Sequence, residues 1–189
     1  MARIGMRSPV YRTVDVTTEA DGTEKETYGA KKSMGKAISA DATIRMAEAK
    51  LYADDGLAEM ERDFVEGTLA IGTDDLEEEA EEELLGATVE EDGTVINNAD
   101  DESPYVQVGY IAARQKGGKK QYRGVVYTRV QFSVPNETAN TKGETITFTT
   151  PVLTGTLTRD KNGDWRRKSK WSELEEAKTW LDSFMTKNA

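Results

Sequence analysis

The chain has 189 residues, of which 37% are apolar and 32% are charged, and its formal net charge is −10. This length suits one domain with a single core, which we expect to span residues 1–189. Because the chain contains neither cysteine nor histidine, disulfides, Ser-His-Asp and Cys-His catalytic arrangements and the usual zinc sites are excluded. Carboxylate, lysine or magnesium chemistry stays open on this ground, but no motif for it stands out, and we expect no catalytic residue, metal or cofactor.

The first predicted strand covers residues 4–16, and a polar segment follows over residues 17–39. Such a segment buries little by itself, so it is either a surface loop or an extended arm that orders against a neighbouring subunit. As an arm, it would make its contacts through Lys31, Lys32 and Met34. No apolar run is long enough to span a bilayer, and the first residues lack the apolar stretch of a signal peptide, so we expect a cytosolic product.

Two further strands are predicted over residues 42–53 and 64–71, where apolar residues alternate with polar or small ones. Asp54-Asp55-Gly56 favours a turn, and we expect residues 54–63 to form a polar connection within a long hairpin. The acids of this connection are Glu59, Glu61 and Asp63.

A short helix is predicted from Asp74 onward. Asp74 and Glu77 have the spacing of a capping box, a narrow apolar stripe recurs at helical spacing, and Gly86 supplies the stop. Acidic side chains occupy the remaining faces. We therefore expect this helix to lie on the outside of a sheet.

Acidic residues are concentrated in the middle of the chain. Residues 51–113 contain 20 acids and one base, a net charge of −19, whereas the remainder contains 15 acids and 24 bases, a net charge of +9. Part of the excess lies in a turn-rich acidic loop predicted over residues 87–103. A solvated acidic surface explains such a run; alternatively, acidic and basic patches of identical copies dock head to tail, or an acidic wall faces DNA and repels its phosphates.

The clearest β pattern starts at Pro104, continues to a turn at Gly117-Gly118 and returns along a strand over residues 122–132. We expect the buried face of this return strand to carry Tyr122, Val126, Val130 and Phe132. Its solvent-exposed face should carry Arg123, Arg129 and Gln131. A further strand is predicted over residues 145–158, with Pro151 at an edge or a bulge.

Asn162-Gly163 predicts a type I′ hairpin that leads into residues 165–171, where bases and tryptophans are mixed. If this segment is a strand, Arg166, Lys168 and Lys170 share one face, and both tryptophans lie on the other. Bases mixed with aromatics are typical of nucleic-acid binding, but the pI of 4.7 opposes that function. We expect a patch that docks on the acidic surface of a neighbour.

The last predicted element is a helix. Ser172 and Glu175 have the spacing of a capping box, and Leu174, Ala177 and Leu181 belong to an apolar stripe that packs on the sheet. Together, the elements predict a mainly β domain, a sandwich or part-barrel of about six to eight strands with two short flanking helices.

Short blocks follow one another along nearly the whole chain: MARIGMRSPVY at 1–11, LYADD at 51–55, GTLAIGTDDL at 67–76, LLG at 84–86, PYVQVGY at 104–110, the strand at 122–132, TKGETITF at 141–148 and the last helix with its Trp-Leu pair. In this order they resemble the major tail proteins of long-tailed phages of Gram-positive bacteria, the phi13-type tail tube family. No block holds catalytic chemistry.

The resemblance implies a non-enzymatic virion protein with a β-sandwich tail tube fold, assembled in the host bacterial cytoplasm. Hexameric rings would stack around the tape measure protein and end at the tail terminator and distal tail proteins. DNA would pass through the lumen without specific binding, and no membrane would be involved. Strands of all subunits join into one barrel in such tubes, so we expect residues 42–53 and 64–71 to line the lumen, and residues 17–39 and 54–63 to reach neighbours. The contacts of the second segment would be made by Glu59, Glu61 and Asp63, and reversing their charge should impair polymerisation.

Other functions fit the same sequence. A tail terminator or head-tail joining protein would form one ring and stop. An acidic DNA-mimic inhibitor would stay small and bind a nucleic-acid-binding enzyme; the acidic segment favours this reading, and the basic remainder opposes it. A carboxylate-dependent hydrolase has least support, because no paired acids are placed for catalysis.

Overall fold

The computed structural model describes residues 2–136 and 150–186. The strands within these ranges are β1 (Ala2–Thr18), β2 (Glu24–Tyr28), β3 (Lys32–Ser33), β4 (Ala37–Ala53), β5 (Gly56–Thr73), β6 (Thr88–Val89), β7 (Val95–Ile96), β8 (Tyr105–Lys116), β9 (Lys119–Ser133), β10 (Val152–Thr158) and β11 (Arg166–Lys168). The helices are α1 (Glu78–Leu85) and α2 (Leu174–Thr186).

Nine of these strands form one antiparallel sheet with the main order β2-β1-β8-β9-β10-β5-β4; β3 adds to β1, and β11 adds to β9. Although β1 and β4 lie far apart in this order, they contact each other, so the sheet curls into a part-barrel. Seven of the described strands have five residues or more, within the predicted six to eight. The prediction of a mainly β fold with two flanking helices is confirmed.

Each face of the sheet has its own core. The first core, inside the curl, contains Tyr11, Leu69 and Phe132 from the sheet and Leu84 from α1. The second core lies under α2, where Ala177, Leu181 and Met185 pack against Ile111 and Val126. The predicted apolar stripe of the last helix therefore packs on the sheet as expected.

A glycine sets how closely α2 approaches the sheet. A Cβ atom on Gly124 would lie 2.4 Å from ring atoms of Trp180, so no larger residue fits beneath this helix. This close approach fixes α2 over the middle of β9.

Strand β9 departs from its predicted alternation. Val106 pairs with Val130 but Val108 pairs with Tyr127, so β9 holds one extra residue at this point. The bulge places Val126 in the second core and Val130 in the first. The predicted shared face of Tyr122, Val126, Val130 and Phe132 is therefore wrong, and Arg129, predicted to be in solvent, is buried.

The segment 17–39, for which a surface loop and an extended arm were both open, folds back on β1 within this subunit. Strand β2 pairs with the end of β1 and β3 pairs with its middle. Met34 is 1% exposed within the first core, and its N–H donates to the Pro9 carbonyl over 3.1 Å. The segment folds back because it contains buried residues of its own, Glu26 and Met34. Its polar composition gave no indication of them.

Local capping and turn chemistry differs from the predictions at three places. Asp74 Oδ1 accepts the Lys36 N–H over 2.6 Å instead of capping α1, which has no side-chain cap. At α2 the Glu176 carboxylate accepts the Glu173 N–H over 3.3 Å, one position beyond the predicted Ser172–Glu175 box. Among residues 160–164 only Gly163 has positive φ, so the turn is not type I′.

Other local predictions are confirmed. Gly86 adopts the left-handed conformation and ends α1 with an N–H bond to the Glu82 carbonyl. Gly117 and Gly118 form the two-residue turn between β8 and β9. Residues 87–103 are mostly loop around the short β6–β7 pair. Of the strand predicted over residues 145–158, the part from Val152 is observed, and residues 145–149 lie outside the described residues.

A buried ion pair ties β2 to β9. Arg129 donates to the Glu26 carboxylate, which also accepts Tyr28 Oη–H over 2.6 Å and the Lys161 N–H over 3.2 Å. Burial alone would raise the pKa of Glu26, but these hydrogen bonds outweigh it and lower that pKa. The ionised carboxylate therefore contributes stability at neutral pH, and this contribution is lost as the pH falls through the lowered pKa.

We predict that Glu26→Gln lowers the free energy of unfolding by about 2 kcal/mol at pH 7, because Arg129 keeps its charge and loses the buried carboxylate. The control Glu24→Gln removes a half-exposed partner of the same arginine, 2.9 Å away, and should cost under about 1 kcal/mol. Urea unfolding at several pH values measures both effects. The difference between wild type and Glu26→Gln should shrink only below pH 4.5, the ordinary pKa of this group; a difference that is constant with pH would contradict this assignment.

Candidate interaction surface on the projecting hairpin

Strands β4 and β5 continue well past the strand that supports them. They pair with each other from Ala37 and Thr73 to Ala53 and Gly56, whereas β10 pairs only with residues 67–72 of β5. Residues 45–63, the projecting hairpin, therefore extend roughly 25 Å beyond the supported sheet. Asp63 touches Arg159 at the base of this extension.

The hairpin closes with a tight turn. Asp54 and Asp55 both have positive φ, 50° and 61°, between paired Ala53 and Gly56. This is a type I′ turn, whose twist matches that of the strands, and aspartate is one of the few residues that tolerate its conformation. The predicted polar connection over residues 54–63 is therefore wrong, because β5 begins at Gly56.

The projecting hairpin is exposed on both faces. Every residue of 45–63 whose burial is described is exposed. Met46, Leu51, Tyr52 and Met60 are among the large apolar side chains in solvent, with Tyr52 67% and Met60 46% exposed. A two-stranded hairpin is marginally stable alone in water, and clustered exposed apolar groups are typical of interaction surfaces.

The register divides the hairpin into two faces. Residues paired across antiparallel strands point to the same side, so one face carries Glu59, Glu61 and Asp63 opposite the small or apolar residues Leu51, Ala49 and Ala47. We call this the acidic face.

The other face carries Met46 and Met60 and lies on the same side as buried Phe64. On it, Glu48 is 3.1 Å from Arg62 and 3.4 Å from Lys50. We call this the methionine face.

Met46 and Met60 were missed at the sequence level. Met60 stands between Glu59 and Glu61 in a stretch predicted to be a connection, and the signal for Met46 was its alternation with Ile44 on the predicted strand over residues 42–53.

On the acidic face, the acid at the base of the hairpin is paired, whereas those nearer the tip have no basic partner among the described residues. Arg159 holds Asp63 over 2.6 Å, and Arg45 holds Glu66 over 2.9 Å. Within the described part of the chain, Glu59 and Glu61 have no base within 4.0 Å. Of the three acids predicted to contact a neighbour, these two are available for one.

The other predicted contact residues lie elsewhere. Lys31 is 2.7 Å from Asp182 on α2, and Lys32 is 2.7 Å from Glu79 and 2.8 Å from Glu83 on α1. Together with buried Met34, they hold the two helices to the sheet. Lys31 and Lys32 remain 30% and 31% exposed, and their contact with a neighbour stays a prediction.

The basic segment 165–171 forms strand β11 on β9. Arg166 pairs with Tyr127 and Lys168 with Val125, both in the first core, so these two bases share a face as predicted. The tryptophans lie on opposite sides of the sheet, since Trp165 stacks on Phe64 at 4.8 Å and Trp171 joins the second core. Lys170 is exposed beyond the strand.

No metal-binding group of three or more acidic side chains occurs among residues 2–136 and 150–186. Open surface depressions lie beside Glu90–Asp92 and beside Asp160–Asn162, both in turn regions. Neither helix that the structure describes is long and apolar enough to cross a membrane.

Comparison of the chain with protein-family models gives no match, and comparison with curated proteins gives none. The projecting hairpin is therefore interpreted from its own geometry and charge.

We predict that backbone amides of residues 46–63 exchange with solvent about 100-fold or more faster than those of residues 67–72 on the same strand in the isolated protein, because only the latter lie within a supported sheet. Hydrogen-exchange mass spectrometry measures both segments in one experiment. Equal protection would contradict the exposure of the hairpin on both faces.

Proposed function

We propose that this chain is a structural subunit that polymerises through its projecting hairpin, and that it forms the tail tube of a long-tailed phage. The subunits would join into rings, and the rings would stack around a tape measure protein. The tube would end at the tail terminator and distal tail proteins, and DNA would pass through its lumen.

The projecting hairpin carries this proposal. Its strands leave backbone N–H and C=O groups unpaired along their outer edges, and its side chains bury nothing within the described subunit. An exposed strand edge of this length favours pairing with another chain, and a closed barrel of many copies removes every such edge. In a ring of these subunits, neighbouring copies would pair these backbone groups and bury these side chains.

The charge of the hairpin suits the wall of a DNA conduit. Residues 37–73 contain eight acids and three bases. A net negative wall repels phosphates, whereas each neutralised phosphate would add affinity and hinder passage. Hairpins from all copies would line the lumen, and the five acids and three bases that remain when Glu59, Glu61 and Asp63 face a neighbour keep this stretch net negative.

The ordered sequence blocks support the same proposal. LYADD spans the hairpin turn, GTLAIGTDDL includes the supported half of β5, and PYVQVGY lies on buried β8. The resemblance to tail tube proteins therefore includes both the core and the proposed assembly surface. Hexameric rings are the stoichiometry that this resemblance implies.

We predict that the purified protein forms hollow tubes or stacking rings at high concentration, visible by negative-stain electron microscopy and light scattering. Tyr52→Thr/Met60→Thr should raise the critical concentration for assembly about tenfold or more, because it removes two of the large exposed apolar side chains of the hairpin. The matched control Ile96→Thr/Val134→Thr replaces exposed apolar residues outside the hairpin and should assemble like wild type.

Each alternative gives a different result in the same experiment. Single rings that never stack would favour a tail terminator or head-tail joining protein. A monomer that binds a DNA-handling enzyme stoichiometrically and never assembles would favour the DNA mimic and would contradict the tube.

A further inference from the structure

The hairpin tips at the β4–β5 and β8–β9 turns lie at the same end of the sheet. Strands β5 and β9 are both antiparallel to β10, so they run in the same direction. Each begins directly after its own turn, at Asp54-Asp55 and at Gly117-Gly118 respectively. The two turns therefore mark the same edge of the molecule.

These two tips carry opposite charge. Residues 54–63 contain five acids and one base, whereas residues 111–124 contain five bases and no acid. Arg7, on the neighbouring strand β1, is paired in the register with Ile111, six residues before the Gly117-Gly118 turn, and adds a further exposed base to this hairpin. The two hairpins are thus complementary in charge.

The two tips do not neutralise each other within one subunit. In the described part of the chain, no carboxylate lies within 4.0 Å of Lys119, Lys120 or Arg7, and no base lies that close to Glu59 or Glu61. All five side chains are exposed. These two acids and three bases are therefore available to a second copy of the chain.

We propose that the acidic face of the projecting hairpin docks on the basic β8–β9 tip of the adjacent copy within the same ring. Copies related by a ring axis keep corresponding ends at one height, so the two tips of neighbours meet at the same level. Contacts between stacked rings would instead bring opposite ends of the sheet together. The charge complementarity thus sets lateral closure of the ring, and this inference rests on the proposed assembly.

Charge reversal in both partners tests the pairing. Glu59→Lys/Glu61→Lys and Lys119→Glu/Lys120→Glu should each raise the critical concentration for assembly about tenfold or more, because like charges then face each other. An equal mixture of the two variants should restore assembly, since every contact between unlike copies joins opposite charges. The protein carrying all four substitutions should assemble alone.

Glu90→Lys/Glu91→Lys, on the exposed β6–β7 turn, makes the same charge change as the acidic variant and should assemble like wild type. Circular dichroism and the unfolding temperature verify that every variant is folded. Wild-type tubes together with unimpaired assembly of both reversed variants would overturn this pairing and leave the tube intact. Failure of the mixture to recover assembly would also overturn the pairing, whereas failure of the wild type to assemble would overturn the tube itself.

Discussion

The structure depends on a mismatch in strand length. Strands β4 and β5 have 17 and 18 residues, but the strand that supports β5 has only seven. Inside the supported region, Leu69 and Ile71 belong to a closed core. Beyond it, the same two strands have solvent on both faces, and a two-stranded hairpin in this state is only marginally stable in water. One half of the β4–β5 hairpin thus packs in the core and stabilises the subunit. On our proposal, the other half is buried only when neighbouring subunits pack against it.

The rest of the fold keeps this hairpin rigid at its base and leaves its tip free. Phe64 stacks on Trp165, Arg159 bonds Asp63 and the Phe64 carbonyl, and the first core continues up β5. The folded segment 17–39 links both helices to the sheet through Lys31 and Lys32. Acidic and basic tips then lie at one edge, where electrostatic attraction would guide ring closure and the apolar side chains of the hairpin would provide buried area.

The sequence predicted the mainly β fold, the glycine turn at 117–118, the end of α1 and the packing of α2, because each has a local pattern that tertiary contacts reinforce. It failed where a distant contact decides the outcome. In the sequence, Arg129 and Glu26 are typical of solvent-exposed residues, and only the folded sheet brings the two side chains together. The bulge opposite Gln107 reverses the faces of β9, and no residue near it indicates a bulge. Glu59 and Glu61 were selected as contact residues, but Met46 and Met60 were not. Alternation on β5 below Phe64 is masked by charge, so this stretch was predicted to be a loop.

The most direct test of the account removes the projecting hairpin and keeps its base. Replacing residues 49–61 with Asn-Gly joins Glu48 to Arg62, which already pair across the strands, through a two-residue turn suited to type I′ geometry. The removed residues belong to neither core, so the variant should keep the unfolding temperature of the wild type. It should form no assemblies in light scattering or electron microscopy, because it lacks the proposed contact surface. Tubes formed by this folded variant at the wild-type critical concentration would contradict the claim that the hairpin joins the subunits.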